Sequence, residues 1–265
     1  MKVYILYFLV FILPLGIASK NGRKVANIFV EDDRVSLDRG SMPAIGSIHT
    51  KAELRYIIGT GFLIDSCHIA TSYHLIKSSD EKISKEDFVF YNAGPNENFI
   101  KARVVSYGRP HTVNVHKKDL EDWAILRLEE CSKATPFKLK DIDFIDLQNS
   151  ELKLYGFPRD RDYDYISVDP SCSVGFEPNP HFSGVPHDCA VRAGNSGGPL
   201  VAYIDGEPYV VAIQSSKRKG FDDVFSEYMS SWSNMATPIA PVVKSFKNLK
   251  SSHQPEAEVR LYQPQ

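Results

Sequence analysis

The sequence predicts an all-β protein of sandwich or barrel architecture. Three observations point there. The apolar runs are short and rich in Val, Ile, Tyr and Phe. Gly, Pro, Asn and Asp bound them. No regular amphipathic helical period runs between them.

The runs fall into two sets. From Ile45 to about Leu128 they read "AIGSI", "YIIGTGFLI", "HIATSYHLI", "DFVFY", "IKARVVSYG" and "WAILRL". The second set reads "ELKLYGFP", "YISVD", "GPLVAYI", "PYVVAIQSS" and "MATPIAPVV". "FKLKDIDFIDLQNS" reads as the connector between them. After about Ser245 the chain is polar, and its end is expected to be loose. A short C-terminal helix across Val242 to Leu249 fits the pattern. No short-period repeat is visible.

The N-terminus carries a different signal. In "MKVYILYFLVFILPLGIASK" one early lysine precedes an apolar run from Val3 to Ile17, broken only by Pro14. Gly16 and Ala18 stand at signal-peptidase spacing, so cleavage is expected near Ala18. A single-span anchor is the alternative, but the run is short for a membrane crossing. The expected protein is secreted or periplasmic, with no stable membrane association after cleavage. Arg23-Lys24 offers a weak processing site before Val25.

Composition bounds the function. The chain has 265 residues, 43% hydrophobic and 24% charged, with a net charge of −2. That is globular, and it carries no basic field for nucleic acid. The Lys217-Arg218-Lys219 cluster reads as a solvated loop. Four cysteines in an exported chain suggest two disulfides, for which three pairings are possible. No Cys-x-x-Cys pair occurs, and neither a metal site nor a cofactor is expected. The pairs His111 with His116 and His181 with His187 read as loop histidines in solvent rather than ligands.

Three stretches carry chemistry. In "GTGFLIDSCHIATSYHLI", Gly59 and Gly61 permit close backbone approach, and small residues lead into His74. In "LEDWAILRL", Asp122 directly precedes a strand that looks buried, whereas Asp119 and Glu121 do not. In "RAGNSGGPL", Ser196 sits in a glycine-rich turn. A serine hydroxyl needs a base within reach, a histidine can supply it near neutral pH, and a carboxylate can orient that histidine.

The order His74, Asp122, Ser196 matches one of several convergent triads. "ATSYHLI", "DWAILRL" and "GNSGGPL" together resemble the trypsin/chymotrypsin-like serine proteases, from about Asp32 to Val243. The resemblance implies two six-stranded antiparallel barrels with the active site between them. The expected organisation is a signal peptide at 1–18, an extension at 19–43, barrels at 44–135 and 136–245, and a tail at 246–265. It implies a secreted, monomeric serine endopeptidase acting on protein or peptide substrates. The Gly194 and Ser196 N–H groups would face the oxyanion. A catalytically inactive, protease-like binding module is the alternative, against which the complete set of three residues argues.

Asn195 departs from trypsin. In that family an aspartate there pairs with a newly cut N-terminus, and asparagine cannot. Leu75 likewise stands where a cysteine usually follows the histidine. "EDDRVSLDRGSMPAIGSI" and "HDCAVRAGNSGGP" resemble the bacterial glutamyl-endopeptidase-like branch. Periplasmic heat-shock proteases share the asparagine, but no peptide-binding PDZ module follows here. The branch resemblance implies Cys172–Cys189, which leaves Cys67 with Cys131. The implied pocket is lined by Ala190, Val191, Gln214, Ser215 and Ser216, with residues near Thr237. Ala190 offers no carboxylate for Lys or Arg. Gln214 stands where glutamate-specific relatives carry a histidine. Ser215 is a candidate partner for the Asp122 carboxylate.

Overall fold

Short runs rich in β-branched and aromatic residues favour strands, and the strands Ile45–Thr50, Gly59–Asp65 and Pro199–Ile204 are buried on both faces along most of their length. In the computed structural model the strands close into a barrel and a second sheet. The structure describes residues 32–50, 57–77, 88–92, 98–108, 120–161, 165–175, 184–217, 233–251 and 260–261. The signal peptide, Arg23-Lys24, His111, His116, His181, Arg218 and Lys219 lie outside the described residues.

The first barrel comprises β2 (Ile45–Thr50), β3 (Gly59–Asp65), β4 (His68–Thr71), β5 (Phe88–Asn92), β6 (Asn98–Tyr107) and β7 (Ala124–Leu128). Each pairs antiparallel with two neighbours, and the β6–β7 pairing closes the circle. Closure removes the sheet edges. The second sheet runs β1 (Val35–Asp38), β10 (Tyr165–Cys172), β9 (Glu151–Gly156), β12 (Pro199–Ile204), β13 (Glu207–Lys217), β14 (Asn234–Pro238) and β11 (Val185–His187). β11 at one end meets the end of β10, the second strand from the other end, at an isolated Val174–His187 bridge and at the Cys172–Cys189 disulfide. Gly175 N–H donates to the Pro186 carbonyl beside that bridge at 2.9 Å.

Several elements were not expected. β1 comes from the segment read as an extension, and it pairs with β10. The connector holds β8 (Lys138–Leu139), parallel to β13, and the short helix α1 (Phe144–Gln148). The tail is not wholly loose, because β15 (Arg260–Leu261) pairs parallel with Ser106 and Tyr107. Lys217 stands at the end of β13 rather than in a loop.

The expected C-terminal helix is α2 (Ala240–Ser251), which packs back onto the first barrel. Ser245 Oγ meets Ser106 Oγ at 2.7 Å, and the Phe246 ring meets His68 edge-on. Among the described residues no helix is long and apolar enough to cross a membrane.

Three apolar clusters form the core. One fills the first barrel, around Ile48, Leu63 and Phe90. Another fills the second, around Leu154, Leu200 and Ala212. The third joins the barrel to the second sheet: Phe62, Trp123 and Ile125 pack with Phe157, Ile166 and Ile213. Burial of these rings removes the largest apolar surfaces from water and fixes the barrel against the second sheet.

Candidate active site

Strand pairing brings Asp122 to His74. β4 runs antiparallel to β7, with Thr71 opposite Ala124. The residues just beyond β4 therefore lie beside those just before β7. His74 occupies a single 3₁₀ turn, Tyr73–Leu75. Its backbone N–H donates to Asp122 Oδ1 at 2.8 Å, and its Nδ1 meets Asp122 Oδ2 at 2.7 Å. A carboxylate only accepts, so Nδ1 carries the proton and the basic lone pair is left at Nε2.

Asp122 is 4% exposed. Ser215 Oγ donates to its Oδ2 at 2.5 Å. Burial pushes the Asp122 pKa up, but the His74 charge and the hydrogen bonds from His74 and Ser215 outweigh it. The carboxyl is held below its ordinary value and stays ionised. His74 keeps 35% of its side-chain surface exposed, so the ring is reachable from outside.

Ser196 lies half-buried in the loop 192–198, just before β12 and hydrogen-bonded to Thr60 of β3. Four successive carbonyls of this loop are tied down. Ala193 O accepts from Arg159 N–H at 2.7 Å, and Asn195 O from Gly198 N–H at 2.8 Å. Gly194 O accepts from Thr60 Oγ1 at 2.7 Å, and Ser196 O from Thr60 N–H at 2.8 Å.

In a trans peptide the N–H points opposite the carbonyl. Tying the Ala193 and Asn195 carbonyls therefore turns the Gly194 and Ser196 N–H groups to the other side. Asn195 N–H is consumed by Arg192 O at 3.0 Å, and Gly197 N–H by Gln214 O at 2.7 Å. Among the described residues neither the Gly194 nor the Ser196 N–H donates to a protein group. Two free donors on adjacent turns can receive an anionic oxygen.

Two glycines make the loop possible. Gly194 has φ 104° and Gly197 φ 83°, where a side chain is strained. A Cβ on Gly194 would also strike the Phe157 carbonyl, and one on Gly197 the Thr60 carbonyl and Thr71 hydroxyl. Gln214 O accepts a second hydrogen bond from Ser72 Oγ at 2.8 Å. Gln214 thus ties the Ser196 loop to the residues that lead into His74.

The expected pocket residues have mixed placements. Ala190 and Val191 are each 4% exposed, and Ala190 N–H donates to Asp169 Oδ2 at 2.6 Å. Gln214 is buried, with Nε2 donating to Ser216 O at 3.1 Å, and Ser216 is half-buried at a register shift of β13. Thr237 donates to the Asp122 carbonyl at 3.4 Å, so it supports the site from behind. The disulfides are Cys67–Cys131 and Cys172–Cys189.

One expectation is corrected. His187 is not a solvent histidine. It is fully buried in β11, and burial lowers its pKa to about 4, outweighing the opposing influence of the Gln214 side chain. Thr60 and Arg159, which set the carbonyl directions, carry no sequence signal. Thr60 stands between two noted glycines, and Arg159 acts through its backbone.

Residues 59–213 match the trypsin-like peptidase domain family. Among solved structures the chain is similar to the serine endoprotease from Yersinia pestis, with 16% identity and a TM-score of 0.53. The match covers 82% of this chain and 66% of that one, so the chain spans just under two thirds of that protein's length. At this identity the likeness is one of fold. No curated protein matches the chain.

Proposed function

Because the chain belongs to the trypsin-like peptidase family, we propose that it is a secreted serine endopeptidase acting through His74, Asp122 and Ser196. The observation that carries the proposal is the buried Asp122 carboxylate holding both N–H groups of His74.

Ser196 Oγ attacks the scissile carbonyl carbon as its proton passes to His74 Nε2. Asp122 holds the tautomer and stabilises the imidazolium. The oxyanion meets the Gly194 and Ser196 N–H groups. The C–N bond then breaks, and His74 returns the proton to the leaving amine. Water attacks the acyl-enzyme by the same relay and regenerates Ser196.

The substrates are proteins or peptides lying in the cleft between a first unit, 44–135, and a second, 136–245. The working form is a monomer released after cleavage near Ala18, and two disulfides are in keeping with an oxidising compartment. Asn195, the Asp32-Asp33-Arg34 stretch and the His187-Asp188-Cys189 stretch support placement nearest the glutamyl-endopeptidase-like branch. Ala190 brings no charge to the pocket, which disfavours cleavage after Lys or Arg.

The test pairs chemistry with mutation. A fluorophosphonate probe is expected to label Ser196 and nothing else. Ser196→Ala is expected to lower kcat about 10⁶-fold if the three residues act as a unit. A folded wild-type protein that neither takes the probe nor cuts a peptide library would overturn the proposal.

A further inference from the structure

A clasp of charged side chains joins the N-terminal segment to the Ser196 loop. At its centre is Arg34, whose side chain is 2% exposed. Its Nε and Nη2 donate to Asp32 at 2.8 and 2.9 Å. Its Nη1 and Nη2 donate to Asp160 at 3.2 and 2.8 Å. Asp160 Oδ2 also meets Arg192 Nε at 3.3 Å. One carboxylate therefore bridges the N-terminal segment and the first residue of the loop that carries Ser196.

The surroundings of Asp160 belong to the same clasp. Arg159 is the residue whose N–H holds the Ala193 carbonyl. Arg161 reaches Ser36 Oγ at 3.2 Å and Asp32 Oδ1 at 3.3 Å. The Arg39 guanidinium lies 4.0 Å from the centroid of the Phe157 ring. The strap from Asp32 to Arg39 thus grips the 157–161 segment by Phe157, Asp160 and Arg161. It is held in register by the pairing of β1 with β10.

On the other side Arg192 closes the turn of Asn195. Its N–H donates to Asn195 Oδ1 at 3.1 Å, and its carbonyl accepts from Asn195 N–H at 3.0 Å. Asn195 has no charge of its own, so the ionic tie of this loop passes through Arg192. A buried guanidinium shared between two carboxylates is rigid, because releasing either partner strands a charge.

We propose that Arg34, acting through Asp160, is a positioning residue for the Gly194 and Ser196 donors. The strap sets the direction of the oxyanion site by fixing the 157–161 segment and the Arg192 turn. The tie is made by a side chain and needs no free chain terminus. It rests on the active-site reading above.

The test uses Arg34→Met, Asp160→Asn, their double variant and Arg34→Lys in the full chain. Both single variants are expected to lower kcat about 10- to 100-fold while KM changes less than about threefold, as for a misdirected oxyanion donor. The double variant is expected to be no worse than the singles, because the two act as one unit. Arg34→Lys is expected to recover part of the loss, since it restores charge without the fork. Affinity for a peptide boronate is expected to fall with kcat.

Amide exchange gives a readout independent of turnover. The Asn195 and Gly198 N–H groups are expected to exchange about tenfold faster in the variants. Unchanged exchange, or a lowered Tm with kcat intact at lower temperature, would overturn the proposal. If Arg34→Met does not fold, Asp160→Asn, which keeps the side-chain shape, decides. A wild-type protein without activity would sink the peptidase reading, while the exchange rates still decide the clasp.

Discussion

Thr60→Val tests whether one hydroxyl holds the Ser196 loop against the first barrel. Thr60 is fully buried in β3. Its Oγ1 donates to Gly194 O at 2.7 Å and accepts from Phe157 N–H at 3.0 Å. Valine has nearly the same shape, so no cavity forms. It does leave a buried carbonyl and a buried N–H without partners. Each orphaned group costs about 1–3 kcal/mol, against which the added methyl returns less than about 1 kcal/mol. The net loss is therefore about 1–5 kcal/mol, at roughly 2–4 °C in Tm per kcal/mol for a chain of this size. Urea titration of wild type, Thr60→Val and Thr60→Ser measures it, with Thr60→Ser expected near wild type because it keeps the hydroxyl. The loss should be accompanied by lower kcat, since the Gly194 peptide is no longer held. The reasoning is falsified if Thr60→Val unfolds within about 0.5 kcal/mol of wild type.

Further expectations concern charge and covalent ties. Ser215→Ala removes a donor from the Asp122 carboxylate; a hydrogen bond to a charged group is worth about 1.5–3 kcal/mol, so kcat/KM should fall at least about tenfold, and an unchanged value would remove Ser215 from the site. Burial lowers the His187 pKa from 6.5 to about 4, so the unfolded chain binds its proton first and stability rises between about pH 4 and 6.5. Burial, with the charges of Asp169 and Asp33, raises Asp188 from 3.8 to about 6, which lowers stability over nearly the same window. The two offset, at up to about 3 kcal/mol each. Asp188→Asn keeps an acceptor for Ser173 N–H, so it should raise stability at pH 7 and leave a steep His187 slope below it, whereas a wild-type urea profile from pH 4 to 7 would rule this out. The disulfides close loops of different length, with separations of 64 for Cys67–Cys131 and 17 for Cys172–Cys189. Paired Ala substitutions should cost about 4 and 3 kcal/mol respectively in the chain-entropy account, and the reverse ranking in urea would contradict it.

Strands were legible where short runs rich in Val, Ile, Tyr and Phe are bounded by turn residues. β2 to β7 and β9, β10, β12, β13 and β14 all fall on runs visible in the sequence. The unexpected β1, β8 and β15 have four residues or fewer. Such short strands form because an edge is available to pair with, and an edge has no local signature. His187 shows the same limit, because a polar residue on a three-residue strand reads as loop until its neighbours are known.

The candidate site divides along the same line. His74, Asp122 and Ser196 were readable because each sits in a distinctive local frame: small residues before a histidine, an acid at a strand mouth, a serine between glycines. Local chemistry travels with local sequence, and so did the all-β class and the glycines at 194 and 197. Only the tertiary structure decided which groups hold the loop that carries Ser196. Thr60 is 134 residues from Gly194, and Arg34 is 126 from Asp160, yet both pairs are in hydrogen-bond contact. A threonine hydroxyl, a backbone N–H and a surface-type arginine look alike wherever they occur in a chain. Their contacts exist only once the barrel, the second sheet and an N-terminal strap close around the same loop, because direction and burial are properties of the packed chain.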